Sequence, residues 1–300
     1  MGTPEFAVAS LDALVKAGFN IIAVITAPDK PAGRGQIIHE SAVKKYALEN
    51  SIPVLQPLKL KDPIFINELK ALEADLQVVV AFRMLPEVVW NMPSKGTINL
   101  HGSLLPQYRG AAPINWAIIN GEKETGATTF FLKHEIDTGD ILFANHLAIA
   151  ETDTAGDVHD KLMILGADLL VETVKAIEID DYKEIPQDSV SEEVELKYAP
   201  KIFKELCEIK WQQPVEQVFN TIRGLSPYPT SFTYFQNKTL KIFKAEMEKT
   251  SPKIPFGQFV SDSKTFLKFA CQDGFIHVKD IQQEGKKRML IDEFLRGVRL

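Results

Sequence analysis

Cysteine is scarce in this chain: its 300 residues hold two, Cys207 and Cys271. That excludes a disulfide framework and a cysteine-rich metal site, and it fits a reducing cytoplasm. No run of about 18 apolar residues occurs, so no membrane-spanning helix is expected. The opening Met1-Gly2-Thr3-Pro4-Glu5 lacks a basic stretch leading into an apolar core, so no signal peptide is expected either. Neither a Gly-x-x-x-x-Gly-Lys-Ser/Thr phosphate loop nor a Gly-x-Gly-x-x-Gly fingerprint is present, which leaves ATP and NAD unsupported. A Gly-x-Ser-x-Gly elbow is also missing, which disfavours covalent acyl transfer. His39, His134, His146, His159 and His277 do not have metal-site spacing, so no metal is expected.

What is present is an ordinary globular composition, 45% hydrophobic and 25% charged. The length suggests about two domains. The net charge of −6 argues against a nucleic-acid partner only while it is treated as uniform. Residues 1–150 carry 13 basic and 15 acidic side chains, residues 151–200 carry 4 and 14, and residues 201–300 carry 17 and 11. A basic C-terminal third beside an acidic middle suggests domains with different partners, and RNA needs only a local positive surface. Ordinary solvated surface would give the same pattern.

The first half alternates helical and strand patterns. Thr3 reads as an N-cap and Pro4 as a first helical residue. The spacing of Phe6, Leu11, Leu14 and Val15 predicts a helix ending at Gly18. Strands are expected at Ile21–Ile25, Pro53–Leu55, Leu76–Ala81 and Thr97–His101, with a loop from Ala27 to about Glu40. This order predicts a mostly parallel sheet covered by helices, with ligands at the carboxyl ends of its strands. A doubly wound domain should begin on a strand, whereas this chain begins almost on a helix; a first strand outside the chain, or a lost apolar segment, would account for it. Further on, strands are expected at Thr128–Leu132 and Ile141–Leu147, a long helix from Thr154 to about Ile179, and a polar linker from Asp181 to Pro200. A helix near Pro214–Arg223, five short alternating strands between Ser231 and Ile281, and a last helix at Ile291–Arg296 suggest a small barrel or sandwich.

Two polar clusters stand out. Asn99 and His101 sit two apart on an expected buried strand and so share a face that should be apolar. They are either a satisfied core pair or two donors aimed at one reacting atom, able to stabilise an oxyanion, with the His also shuttling a proton. Asp137, in Glu135-Ile136-Asp137-Thr138-Gly139-Asp140, is either a turn residue or the carboxylate that orients His101. Without a nucleophile or cofactor signature, the set suggests direct transfer of a carbonyl group to an external nucleophile.

The stretches Asn99-Leu100-His101-Gly102-Ser103-Leu104-Leu105-Pro106, Arg109-Gly110-Ala111-Ala112-Pro113 and Ile136-Asp137-Thr138-Gly139 resemble the folate-dependent formyltransferases. Met1 to Ala7, Pro28 to Gly35, Arg223-Gly224-Leu225-Ser226-Pro227-Tyr228-Pro229 and Gly285-Lys286-Lys287-Arg288-Met289 are similar to the branch acting on initiator tRNA. The resemblance implies formyl transfer from 10-formyltetrahydrofolate to the α-amino group of methionyl-initiator tRNA, in the cytoplasm, by a monomer. It implies an α/β, Rossmann-like catalytic domain over residues 1–181, a linker over 182–200, and an OB-like β-barrel over 201–300 that binds tRNA. Carried over by position, Asn99, His101 and Asp137 are catalytic. Ser103, Leu104, Leu105, Pro106 and Ile136 contact folate. So do Phe82, Arg83, Met84 and Leu85, although these depart from the family's Tyr-Gly pattern. Arg34, presented between Gly33 and Gly35, and Lys201, Lys204, Lys210, Lys286, Lys287 and Arg288 meet the tRNA. Lys241 and Lys244 are further candidates for phosphate contacts. Rival readings are a formyltransferase for a purine ribonucleotide or an amino-sugar nucleotide, and a noncatalytic RNA-binding module.

Overall fold

The computed structural model describes residues 1–32, 37–191 and 195–298. Two compact units emerge: residues 1–109, 126–147 and 160–197 form one, and residues 110–125, 148–159 and 198–300 the other.

The first unit is built on a sheet whose leading strands are parallel. Val24–Ile25 pairs with Val54–Leu55, and Gln77–Val80 pairs with Thr97–His101, both parallel. Between these two pairs lies Gly2, which bridges Val80 and donates its N–H to the Ile25 carbonyl. The expected strand Ile21–Ile25 shortens to Val24–Ile25, because one bridging residue offers no ladder for Ile21 to Ala23. An apolar cleft of about 150 Å³ remains there, lined by Leu14, Ile22, Val43, Leu69 and Val78 among others. Beyond Thr97–His101 the sheet adds Glu124–Phe131, antiparallel to it, and then Ile141–Ala148. The arrangement is Rossmann-like, with Ile25, Leu60, Phe65, Leu69, Val79, Leu85 and Val89 forming a core on the helical side.

Helix starts follow their capping residues. Asp62 accepts from the Ile64 N–H and is followed by Pro63 at the first turn of Pro63–Ala71. Ser41 caps Ala42–Glu49 in the same way. The first helix, Glu5–Lys16, starts one residue later than its sequence suggests: Pro4 is the cap, and it supplies no side-chain hydrogen bond. The expected loop between Ala27 and Glu40 contains a small antiparallel ribbon, Lys30–Ala32 against Ile37–His39.

The second unit carries a curled antiparallel sheet, OB-like, in the order Ser231–Phe235, Lys238–Lys249, Gly274–Gln283, Leu267–Ala270 and Phe259–Ser261, with Met289–Leu290 also paired to Gly274–Gln283. Lys238–Lys249 alternates strictly at first: Leu240 and Ile242 are buried while Lys241 is exposed. A break in register between Ile242 and Ala245 lets the strand bend. Helix Val215–Gly224 packs Val215, Val218 and Ile222 onto the sheet, joined by Trp211, Phe235, Phe269 and Phe294. Arg223 is buried among these elements; its Nε donates to Asn220 Oδ1 at 2.8 Å and an Nη donates to the Asp153 carbonyl at 3.1 Å.

Candidate functional site

Strand Thr97–His101 is buried at four of its five positions, with Asn99 the half-buried one. Its backbone is held on both sides, by Val79 in parallel and by Phe130 in antiparallel register. Asn99 and His101 therefore stand on one face of a fixed strand. Among the described residues the Asn99 amide has no hydrogen-bond partner.

His101 is 7% exposed. Its Nε2 lies 3.0 Å from the Tyr108 carbonyl oxygen. A carbonyl only accepts, so Nε2 carries a proton and Nδ1 is the nitrogen left to face the site. Nδ1 is 4.0 Å from Asp137 Oδ2, close enough for charge to be felt and too long for a direct hydrogen bond.

Asp137 reaches this position by an unusual path. Its loop leaves strand Glu124–Phe131 beside the start of Thr97–His101, where the Leu132 N–H meets the Thr97 carbonyl. It then folds back to the far end of that strand. The reversal needs a left-handed backbone at Asp137, φ 56°. It also needs Gly139, where a Cβ would come within 1.6 Å of the Phe131 carbonyl oxygen. Lys133 pairs with Asp140 at 2.6 Å, and the Thr138 hydroxyl donates to the Glu135 carbonyl at 3.1 Å.

The expected linker takes part in this loop. Ile185 and Ile141 exchange backbone hydrogen bonds of 2.9 Å. Gln187, 2% exposed, donates from Nε2 to the carbonyls of Asp137 and Gly139, and its Oε1 accepts from Arg109 Nε. Farther on, the Gln107 amide spans the Glu195 carbonyl and the Lys197 N–H. Sequence reasoning missed Gln187, since a polar residue in a polar stretch reads as solvated. No signal in the sequence pointed to it, since it lies 50 residues along the chain from Asp137.

The stretch after His101 is tightly committed. The Ser103 hydroxyl, fully buried, donates to the Gln107 carbonyl. The Thr128 hydroxyl donates to the Ser103 carbonyl and accepts from the Leu105 N–H. Leu105 packs with Phe130 and Ile141, Pro106 is buried behind a cis bond, and Leu104 is half-buried. Residues 82–85 emerge from the strand neighbouring Thr97–His101. Phe82 is half-buried, Leu85 is in the core, and Met84 is 73% exposed. Arg83 donates to the Pro57 and Leu58 carbonyls and lies 5.7 Å from the Phe82 ring centroid. Ile136 is exposed at the tip of the Asp137 loop.

The basic candidates differ in how free they are. Lys201, Lys204, Lys210, Lys241, Lys244 and Lys287 are exposed. Arg288 is held by Asp280 through three nitrogen–oxygen contacts of 2.5–3.0 Å, and its guanidinium lies over the Phe243 ring at 4.1 Å. The Asp280 carboxylate pushes the Arg288 pKa further up. Lys286 is half-buried, with its ammonium over the Phe294 ring. Arg34 lies outside the described residues.

Comparisons with known proteins agree along the chain. A formyl transferase family model matches residues 1–174, and the model of the formyl transferase C-terminal domain matches residues 201–299. The methionyl-tRNA formyltransferase of Bacteroides thetaiotaomicron is 56% identical over 305 residues, covering 100% of this chain and 95% of its own. That of Flavobacterium johnsoniae is 49% identical over 302 residues, covering 99% and 95%. Among solved structures, an N-formyltransferase from Helicobacter canadensis, in complex with folinic acid and dTDP-3-aminofucose, shares the fold. Its TM-score is 0.65 at 22% identity, over 94% of this chain and 97% of that one. HypX from Aquifex aeolicus, in complex with tetrahydrofolic acid, has a TM-score of 0.60 at 21% identity, over 84% and 44%. The chain belongs to the formyl transferase family, matching both its N-terminal and its C-terminal models in one polypeptide.

Proposed function

We propose that this chain transfers the formyl group of 10-formyltetrahydrofolate to the α-amino group of methionyl-initiator tRNA. The observation that carries the reading is the end-to-end identity, 56%, to a methionyl-tRNA formyltransferase. The paired donors Asn99 and His101, with Asp137 beside them, support it.

The free amine attacks the formyl carbon, forming the new C–N bond and an oxyanion. Asn99 and a proton on His101 Nδ1 stabilise that oxyanion. Asp137 assists movement of the amine proton to the departing folate nitrogen as its bond to carbon breaks. The atoms balance: the amine exchanges a proton for the formyl group, and the folate nitrogen exchanges the formyl group for a proton. Ser103, Leu104, Leu105, Pro106, Phe82, Arg83, Met84, Leu85 and Ile136 form the folate side of the site. Because the side chains of Ser103 and Leu105 face inward, their share is to hold the loop backbone in shape.

Residues 1–181 serve as the catalytic domain, 182–200 as the linker and 201–300 as the tRNA-binding domain. Arg34 and the lysines Lys201, Lys204, Lys210 and Lys287 meet the phosphate backbone, with Lys286 and Arg288 at their edge. Such contacts position RNA and carry little sequence information.

The test is formylation of charged initiator tRNA by the purified chain with 10-formyltetrahydrofolate, beside an amino-sugar nucleotide as acceptor control. Formyl-methionyl-tRNA as product, with the sugar untouched, is expected. Transfer to the sugar and none to the tRNA overturns the reading. Arg34→Ala is expected to weaken tRNA use and leave folate binding unchanged.

A further inference from the structure

We propose that Gln187 is a positioning residue for Asp137: it holds the Asp137 loop in its folded-back, left-handed conformation and so sets the distance between Asp137 and His101. The inference rests on the formyl-transfer reading and adds to it a residue from the acidic segment.

Both donors and the oxygen of the Gln187 amide have a defined use. Nε2 has two hydrogens, and two carbonyls receive them: Asp137 at 2.9 Å and Gly139 at 2.7 Å. Oε1 accepts from Arg109 Nε at 2.9 Å. Carbonyls accept only and a guanidinium donates only, so the amide can face one way. The side chain is 2% exposed, where hydrogen bonds are not exchanged freely with water.

The two carbonyls flank the turn that the loop finds hardest to make. Asp137 has φ 56°, a region that costs a non-glycine residue energy unless surrounding structure holds it. Gly139 has no room for a side chain. One amide pinning the carbonyls on both sides of Thr138 fixes the peptide planes of this turn. The direction of the Asp137 side chain follows from them. The far end of the brace is Arg109, next to Tyr108, whose carbonyl holds His101. The carboxylate and the imidazole are thus referenced to one connected framework, Asp137–Gln187–Arg109–Tyr108–His101. The backbone bonds between Ile185 and Ile141 bring Gln187 to this place.

The decisive variant is Gln187→Glu. It keeps volume and the acceptor for Arg109, and it replaces the donor with an oxygen that two carbonyls repel. Gln187→Ala removes both ends. We expect each to lower kcat by about 10- to 100-fold, the scale of a misplaced catalytic group, with KM for folate and tRNA little changed. In an Asp137→Asn background, whose own loss is measured first, the further loss on adding Gln187→Ala should fall within about twofold, because the residues act as one unit. Hydrogen exchange across residues 133–140, read by mass spectrometry, should speed up in both variants while the remainder of the chain exchanges as before.

Wild-type-like kcat and exchange in Gln187→Glu would overturn the proposal. So would an equal fold-loss in both backgrounds, or a loss confined to KM. Exchange is read without turnover, so the proposal is tested even if the wild type forms no formyl-methionyl-tRNA, a result that would instead overturn the functional reading.

Discussion

His101 Nε2 and the carbonyl oxygen of Tyr108 are 3.0 Å apart, and Tyr108 presents that oxygen from a left-handed backbone, φ 60°. The contact decides which imidazole nitrogen is available for chemistry. With Nε2 protonated and committed to the backbone, Nδ1 is the nitrogen left facing the site and the one nearer Asp137.

The tautomer gives the first prediction. His101→Ala should lower kcat by about 10²–10³, the usual loss for an oxyanion donor. An asparagine amide can place a donor near Nδ1, whereas a glutamine amide reaches toward Nε2. His101→Asn should therefore retain measurably more activity than His101→Gln. Single-turnover rates with saturating tRNA check the order, and the reverse order would show that Nε2 is the working nitrogen.

Gly139 gives the second. A Cβ there would collide with the Phe131 backbone, so Gly139→Ala must displace the loop carrying Asp137. Overpacking of this kind costs about 1–3 kcal/mol. Urea denaturation should show that loss, and kcat should fall further than the lost stability explains.

Arg223 gives the third. It is buried, and burial lowers its pKa while Asp153 and Glu216 oppose that shift. Its hydrogen bond to the Asp153 carbonyl ties helix Val215–Gly224 to a neighbouring segment, and Asn220 on the same helix orients the guanidinium. Arg223→Ala strands these partners and should cost on the order of 3 kcal/mol of stability, measured by chemical denaturation. Arg223→Lys should recover only part, because an ammonium lacks the planar fork.

Asp262 gives a pH-dependent prediction. The Thr265 hydroxyl, followed by the backbone N–H groups of Thr265, Lys264 and Phe266, holds its carboxyl well below the usual carboxylate range. A carboxylate whose pKa is depressed by folding adds stability above the unfolded value, near 4, and that stability disappears as pH falls through the folded value. Asp262→Ala should thus lower Tm at pH 7 and have progressively less effect as pH falls below about 4. An effect independent of pH would show that the turn does not depend on the charge.

Much of this architecture is legible in the residues. Thr97–His101 and Ile291–Arg296 occupy the positions their patterns predict, because one is an apolar strand bounded by Gly96 and Gly102 and the other a short amphipathic turn. The pairing of Asn99 with His101 on one face follows from strand periodicity alone. Ile21 to Ala23 shows the limit of such reasoning: an apolar run predicts burial, while a ladder also needs a partner strand, which the run does not encode. Gln187 was hidden for a related reason. Its partners are mostly backbone carbonyls, identical at every position in the sequence, and only the folded chain selects which two it meets.

Gly2, between Val24–Ile25 and Gln77–Val80, stands where no side chain fits: a Cβ there would come within 2.4 Å of the Ala7 Cβ and 2.9 Å of the Val80 carbonyl oxygen. The first helix and the strand Gln77–Val80 approach this closely only across a bare backbone, so any larger residue at position 2 must push them apart.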